Sequence, residues 1–328
     1  MGACAGTGNA VPLSGYSSEL NMYAILGVVL VLAAVLGGFL LERGNLYILL
    51  QPAELLIVGG AAVGITLVAN PPGVIRKMGR GMASIFHPPG FQPGLYLRYL
   101  RMLYEVFGLV QRAGASAIEP HVEQPENSEI FSRDPDLMSD PETRQFVCDS
   151  LRMLVIGATT ARELDHLMDL DIDVQRRGRQ EPVAALGAVA DALPGLGIVA
   201  AVLGVVITMQ AIGAAPETVG QKVAAALVGT FLGILLCYGV AGPLAARLGH
   251  LAEQHTQFLE VLRTGIVAFA RGASPILAVE YARRSIPVEL RPSFLELEGT
   301  IRRDARIPVV PLPQGAFDAA SYGSSGNV

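Results

Sequence analysis

Apolar residues are concentrated in four blocks, residues 22–41, 55–69, 193–213 and 223–244. Each approaches the ~20 residues that cross a bilayer. The second block is short by itself, but Pro52 can open its helix at a first-turn position where a missing N–H costs nothing, which extends the span to residue 70. Four spans are therefore expected. Elsewhere the pattern is that of amphipathic helices. Leu95, Leu100, Leu103, Phe107 and Val110 share one stripe, and Phe146, Leu151, Leu154 and Val155 begin another that continues to Leu164, Leu167 and Met168. Proline-containing stretches at 88–93, 120–125 and 135–141 read as loops between these pieces. After the fourth block, residues 245–284 read as an amphipathic helix continuous with the span.

Charge supplies the orientation. Of 24 Lys and Arg, 13 lie between the second and third blocks and 9 follow the fourth, leaving Arg43 and Lys222 in the two short hairpins. The positive-inside rule then places both large polar segments and both chain ends in the cytoplasm, with Arg76, Lys77 and Arg80 beside the second span weighing most. The expected fold class is an all-α membrane protein, four transmembrane helices with a large helical cytoplasmic domain. Its expected parts are a disordered N-terminal extension (1–20), the first two spans (21–70), a cytoplasmic helical domain (71–182), the last two spans (183–245), a C-terminal cytoplasmic helix (246–306) and a Pro/Gly/Ser-rich disordered tail (307–328). The composition agrees: 51% of residues are hydrophobic and 16% charged, too apolar a balance for an ordinary soluble domain.

Candidate chemistry is sparse. Cys4, Cys148 and Cys237 are isolated, and the five histidines lack metal-ligand spacing, so no disulfide framework, metal or cofactor is expected. Neither Gly6-Thr7-Gly8 nor Gly195-Leu196-Gly197 has the strand-turn-helix context of a phosphate loop, and no enzyme is expected. Autonomous pumps bury ionisable groups in their spans. Here Glu54 and Asp191 are expected at span edges, and the central polar side chains are Thr66, Thr208, Gln210 and Thr230. If ions cross, another chain must supply the carboxylate. Pro194 reads as opening span three and Pro243 as closing span four, either as ordinary helix-end prolines or as hinges. Small residues at four-residue spacing (Gly197 with Ala201, Ala200 with Gly204, Gly229 with Gly233) allow close helix approach, within one subunit or between subunits. The acidic run Glu163, Asp165, Asp169, Asp171 and Asp173, with His166 inside it, is either a solvated face or a funnel that concentrates cations, Asp169 and Asp171 being its candidates.

Several motifs carry a resemblance. The stretch from Asp191 to Val206, the stretch Val228 to Gly239 with Gly242-Pro243-Leu244, and the segments Gln51-Pro-Ala-Glu-Leu55, Asn127-Ser-Glu-Ile-Phe131 and Arg291-Pro-Ser-Phe-Leu-Glu-Leu-Glu298 stand in order and at family spacing. Over residues 21–303 the chain resembles the MotA family of flagellar stator subunits in the bacterial inner membrane. The resemblance implies a pentameric ring around the transmembrane helices of a MotB-type peptidoglycan-binding partner whose Asp binds the ion. Ion passage turns the ring, and the cytoplasmic domain pushes the rotor switch protein FliG. The family's two functional prolines correspond to Pro194 and Pro243, its acidic rotor contact to Glu119, and its basic contact to Gln111, with Arg112 next to it.

Sodium-driven members place a threonine where this chain has Ala201, near the threonine that matches Thr230, and a methyl cannot replace a lost hydration oxygen around sodium. The driving ion is therefore expected to be a proton, with Ala201, Thr208 and Thr230 near its path. The alternatives are a TolQ/ExbB-like energiser of envelope transport, whose relatives have three spans and lack the Gln51-Pro-Ala-Glu54 hairpin, and a membrane scaffold without ion flux.

Overall fold

The computed structural model describes residues 16–86, 91–133, 139–157, 159–210, 213 and 215–304 of the chain. Among these the secondary structure is helical: α1 (Tyr16–Leu41), the single turn α2 (Leu46–Leu49), α3 (Pro52–Ala69), α4 (Pro72–Phe86), α5 (Pro93–Ala113), α6 (Glu119–Glu123), α7 (Pro141–Ile156), α8 (Ala161–Met209), α9 (Pro216–Leu236), a π-helical turn (Cys237–Ala241), α10 (Gly242–Ala270), α11 (Pro275–Ser285) and α12 (Phe294–Asp304). Among the described residues, three helical stretches are long and apolar enough to cross a membrane: Leu46–Ala69 (α2 with α3), α8, and the continuous rod Pro216–Ala270. The apolar part of α1, Ile25–Leu41, is shorter.

Proline decides where many of these helices begin. Pro52, Pro72, Pro93, Pro141, Pro216 and Pro275 all stand at a helix start, where the missing N–H belongs to an otherwise unbonded first turn. Two stretches expected as loops therefore end by opening α5 and α7, and Pro120 lies inside α6. Residues 87–90 and 134–138, the rest of two of those stretches, lie outside the described residues, as do the N-terminal 1–15 and the tail from 305. The helix α1 takes in residues 16–20, which were expected to be disordered.

The membrane-spanning prolines depart from expectation. Pro194 does not open a helix: α8 begins at Ala161 with a reciprocal Thr160–Glu163 capping box and runs 49 residues through both Pro182 and Pro194. The carbonyl that Pro182 leaves without its helical donor, that of Gly178, instead accepts a bond from Lys77 Nζ at 3.5 Å. Nor does Pro243 close a helix. The chain widens into one π turn in which the Gly242 N–H bonds the Cys237 carbonyl five residues back, and α10 starts at once with Pro243 in its first turn. A π turn accommodates a proline without ending the rod. The single C-terminal helix expected over 246–306 is three helices, since α10 stops at Ala270 before Gly272, whose φ of 92° suits glycine alone.

The cytoplasmic core gathers the stripes read from the sequence. Leu100, Leu103 and Phe107 of α5, Phe146 and Leu151 of α7, Leu164 and Met168 of α8, and Phe258, Leu262 and Ile266 of α10 form one buried cluster. Phe107 stacks on Phe269 with ring centroids 4.3 Å apart, and Tyr99 meets Phe258 edge-on at 4.7 Å. The amphipathic helix α4 lies at the base of the spans, with Ile85 against Leu248 and Leu251 of α10.

Candidate functional site

The helices α8 and α9 cross antiparallel at closest range where both lack side chains. A methyl placed on Gly197 would lie 2.6 Å from the Gly229 carbonyl oxygen, one on Gly233 would lie 2.5 Å from that of Leu193, and one on Gly204 would lie 2.6 Å from the Ala226 Cβ. The small-residue spacing thus serves packing within one chain, where backbone-to-backbone approach replaces the hydrophobic drive that lipid cannot provide. The Ala200 methyl and the Ala201 backbone nitrogen lie at Gly229, and the Thr230 Cα lies at Gly197 one turn away, so the backbones of two candidate path residues run through the helix contact. Thr208 is 1% exposed and gives its hydroxyl to the Gly204 carbonyl at 2.8 Å, committing it to its own helix. The outer faces of α8 and α9 remain apolar and exposed, with Ile198, Val199, Val202, Val206, Leu227 and Ile234 among them.

Glu54 stands at the edge of its span, as expected, but it does not face solvent. It lies in the first turn of α3, and its side chain is only 7% exposed. Its Oε2 lies 3.1 Å from where a Gly229 Cβ would stand, and its Oε1 lies 3.5 Å from the corresponding point on Gly204. The edge of one helix is the interior of its neighbours, because α8 and α9 extend beyond the α3 start. The spans therefore hold a buried carboxylate at one edge, where no sequence pattern signals burial.

The two prolines are separated along the rods. Pro194 sits one residue past Leu193, at the level of Gly233, whereas Pro243 is ten residues beyond Gly233, ~15 Å further toward the cytoplasmic domain. The structure gives each its own break in the hydrogen-bond ladder and does not bring them to one site.

The cytoplasmic candidates divide. Gln111 and Arg112 occupy the last turn of α5, Gly114 turns the chain with φ 87°, and Glu119 opens α6. All three polar side chains are exposed. The acidic run is mostly satisfied within the chain. Glu163 belongs to the cap, Asp165 accepts from Arg263 at 2.7 Å and from Arg271 at 2.9 Å, Asp169 accepts from Arg263 at 2.5 Å, Asp171 accepts from Gln175 at 3.1 Å, and Asp173 pairs with Arg176 at 2.6 Å. Asp169 stands 22 residues before Asp191 on one helix, ~33 Å away. Asp169, bridged to Arg263, and Asp171, bonded to the neutral Gln175, thus both lie on the exposed face of the cytoplasmic part of α8.

A polar junction joins the two halves and carries no sequence signal beyond single residues. His255 of α10 is 3% exposed, and its Nε2 lies 2.8 Å from the Arg179 guanidinium and 3.5 Å from Asp140 Oδ2. Arg179 also bonds Glu142, and Asp140 caps α7 through the Glu142 N–H. Burial would raise the Asp140 carboxyl, but hydrogen bonds from His255 and Thr143 and the Arg179 charge outweigh it and hold it below the usual carboxylate range. Beside this junction a cleft of about 380 Å³ is lined by Lys77, Arg80, Glu142, Arg179 and His255.

Two family profiles match the chain: Motility protein A N-terminal over residues 25–114, and the MotA/TolQ/ExbB proton channel family over residues 139–261. Motility protein A of Salmonella typhimurium is 34% identical over 281 residues, spanning 86% of this chain and 95% of that protein. Chemotaxis protein LafT of Vibrio parahaemolyticus is 34% identical over 277 residues, spanning 84% and 97%. Among solved structures, C. jejuni MotAB aligns with a TM-score of 0.69 at 19% identity, covering 83% of this chain and 99% of that one. The flagellar MotAB stator complex from Bacillus subtilis aligns at 0.66 and 21% identity, covering 81% and 96%. At these identities the two structures attest to the fold.

Proposed function

Because the chain belongs to the MotA family of the MotA/TolQ/ExbB proton channel group, we propose that it is the ion-channel subunit of a flagellar stator. In this reading it forms a pentameric ring around the spans of a MotB-type partner and converts proton flow into torque on FliG. The observation that carries the reading is the end-to-end match to Motility protein A, 34% identity across 95% of that protein. The apolar outer faces of α8 and α9 support it, since an isolated chain leaves Val199, Val202 and Val206 exposed and a ring would cover them.

The apolar part of α1, Ile25–Leu41, is the fourth span, and both chain ends are cytoplasmic, which the distribution of Lys and Arg supports. The driving ion is the proton. Ala201, whose backbone nitrogen lies beside Gly229, has only a methyl and offers no side-chain oxygen to a dehydrated sodium ion, whereas a proton needs only an acid and a water path. Gln111 and Arg112, exposed at the end of α5, and Glu119, exposed at the start of α6, form the rotor contact. Exposed opposite charges there steer and register a partner that must release at every step.

The test is proton flux in liposomes. The ring reconstituted with its single-span partner should conduct, and the ring alone, or with the partner's membrane acid replaced by its amide, should not. Flux through the ring alone would refute the reading.

A further inference from the structure

We propose that Glu54 is a proton-binding site of the ring itself, a relay carboxylate on the extracytoplasmic side of the spans that acts in series with the partner's acid. The inference rests on the stator reading above. A glutamate in the first turn of a helix ordinarily serves the helix, bonding the free N–H groups of that turn or meeting the positive end of its dipole from water. Glu54 does neither. Gln51 at the cap receives no side-chain bond, and Oε2 of Glu54 is buried without any hydrogen-bond partner. The residue is 7% exposed.

Among the described residues its surroundings offer it no counter-charge. The two α8 and α9 positions it abuts are Gly204 and Gly229, and Ala200, Ala201 and Ala226 fill the rest of that contact. The hydroxyl of Thr208, one turn from Gly204, is already given to the Gly204 carbonyl. The cation of the nearby hairpin, Lys222, is exposed at the start of α9, as is Glu217. An ionised carboxylate without a partner in such a place is prohibitively costly, so the group must carry a proton or a bound cation. A dehydrated metal cation needs several oxygen ligands; the methyls supply none, and the Gly204 and Gly229 carbonyls lie within helices, that of Gly204 also taken by the Thr208 hydroxyl. The occupant is therefore a proton.

Position gives the site its role. Glu54 lies one turn into α3, beside Gly204 five residues before the α8 end and Gly229 in the body of α9. It is thus inside the spans near the end that faces away from the cytoplasmic domain, where a proton enters. It adjoins Gly229, the residue before Thr230, whose other side meets the Ala201 backbone, so a glycine rather than a side chain stands there. In each transfer the O–H bond of the neutral acid breaks as a water or the partner's carboxylate takes the proton. The carboxylate is then reprotonated by water from the outer side.

The experiment uses the purified ring with its partner in liposomes and compares wild type, Glu54→Gln and Glu54→Asp. The infrared difference spectrum of wild type minus Glu54→Gln at neutral pH should show the carbonyl stretch of a protonated carboxylic acid, shifted in Glu54→Asp. Proton flux should fall at least about tenfold in Glu54→Gln, the loss expected on removing a proton-transfer group, and recover in part in Glu54→Asp. A spectrum without that band would overturn the proposal. So would wild-type flux through Glu54→Gln, since a merely structural neutral acid is replaced by its isosteric amide without loss. If Glu54→Gln fails to assemble, the band shift and the flux of Glu54→Asp decide in its place. A wild-type complex that conducts nothing counts against the stator reading and leaves the infrared test of the proton standing.

Discussion

Replacing Gly197 by alanine should loosen the α8–α9 pair by an amount the geometry sets. The new methyl would meet the Gly229 carbonyl oxygen at 2.6 Å, the Gly233 Cα at 3.1 Å and the Thr230 Cα at 3.2 Å. All three are backbone atoms, so no rotamer change can relieve them. Ordinary contact begins near 3.4 Å, and the helices must part locally by about 0.8 Å. Overpacking of this kind costs ~1–3 kcal/mol, and a gap of that size forfeits a quarter to a half of the neighbouring dispersion contacts. Against this, alanine is worth ~0.5–1 kcal/mol over glycine inside a helix. The net expectation is a loss of about 1 kcal/mol against wild type and about 2 kcal/mol against a glycine-to-alanine control that gains the same helix benefit. The control is Gly187→Ala on the same helix, where nothing lies within 4 Å of the added methyl, which should be neutral or slightly stabilising. Thermal unfolding of the purified ring in detergent, at one fixed scan rate, should place Gly197→Ala roughly 4–8 °C below the control. Equal midpoints for the two variants would mean that the helices are not packed on these glycines.

Other consequences follow from the same geometry. The Asp140 carboxyl is held below its unfolded value of ~3.9, so the stability it contributes is present above that value and is lost as the pH falls through it toward the folded value. Asp140→Asn keeps a competent cap but removes the charge. It should cost about 1 kcal/mol near neutral pH, its partial exposure considered, and the gap to wild type should close in acid; a gap independent of pH would sink the assignment. Pro194→Leu restores a helical N–H inside α8, so the ring should still assemble while proton flux uncouples from rotation. Disappearance of that variant from the membrane would make the proline structural. Reversing Glu119 and Arg112 together should reduce torque under load with protein level and flux unchanged, and complementary reversals on FliG should restore part of it. Wild-type swimming under heavy load would move the rotor contact elsewhere.

Most of the helices and the cytoplasmic core were legible in local sequence patterns. Apolar runs of membrane length and stripes at helical spacing are local signals, and the stripe from Leu95 to Val110 became one face of α5 with Leu100, Leu103 and Phe107 at the centre of the cytoplasmic cluster. The glycine spacing also announced a close helix contact, though the choice between one subunit and two needed the fold. The tertiary structure alone decided three things. Pro194 and Pro243 look like helix ends because a proline lacks one donor, but packing on both sides holds the rods together through the resulting breaks, and a π turn or a lysine from α4, as at Pro182, takes up the slack. Asp165 and Asp169 look like a free acidic face until Arg263 arrives from roughly 95 residues further along the chain. Glu54 looks like an edge residue because its own helix begins there. Its burial comes from α8 and α9, which follow more than a hundred residues later, and no local pattern records which neighbour will cover a side chain.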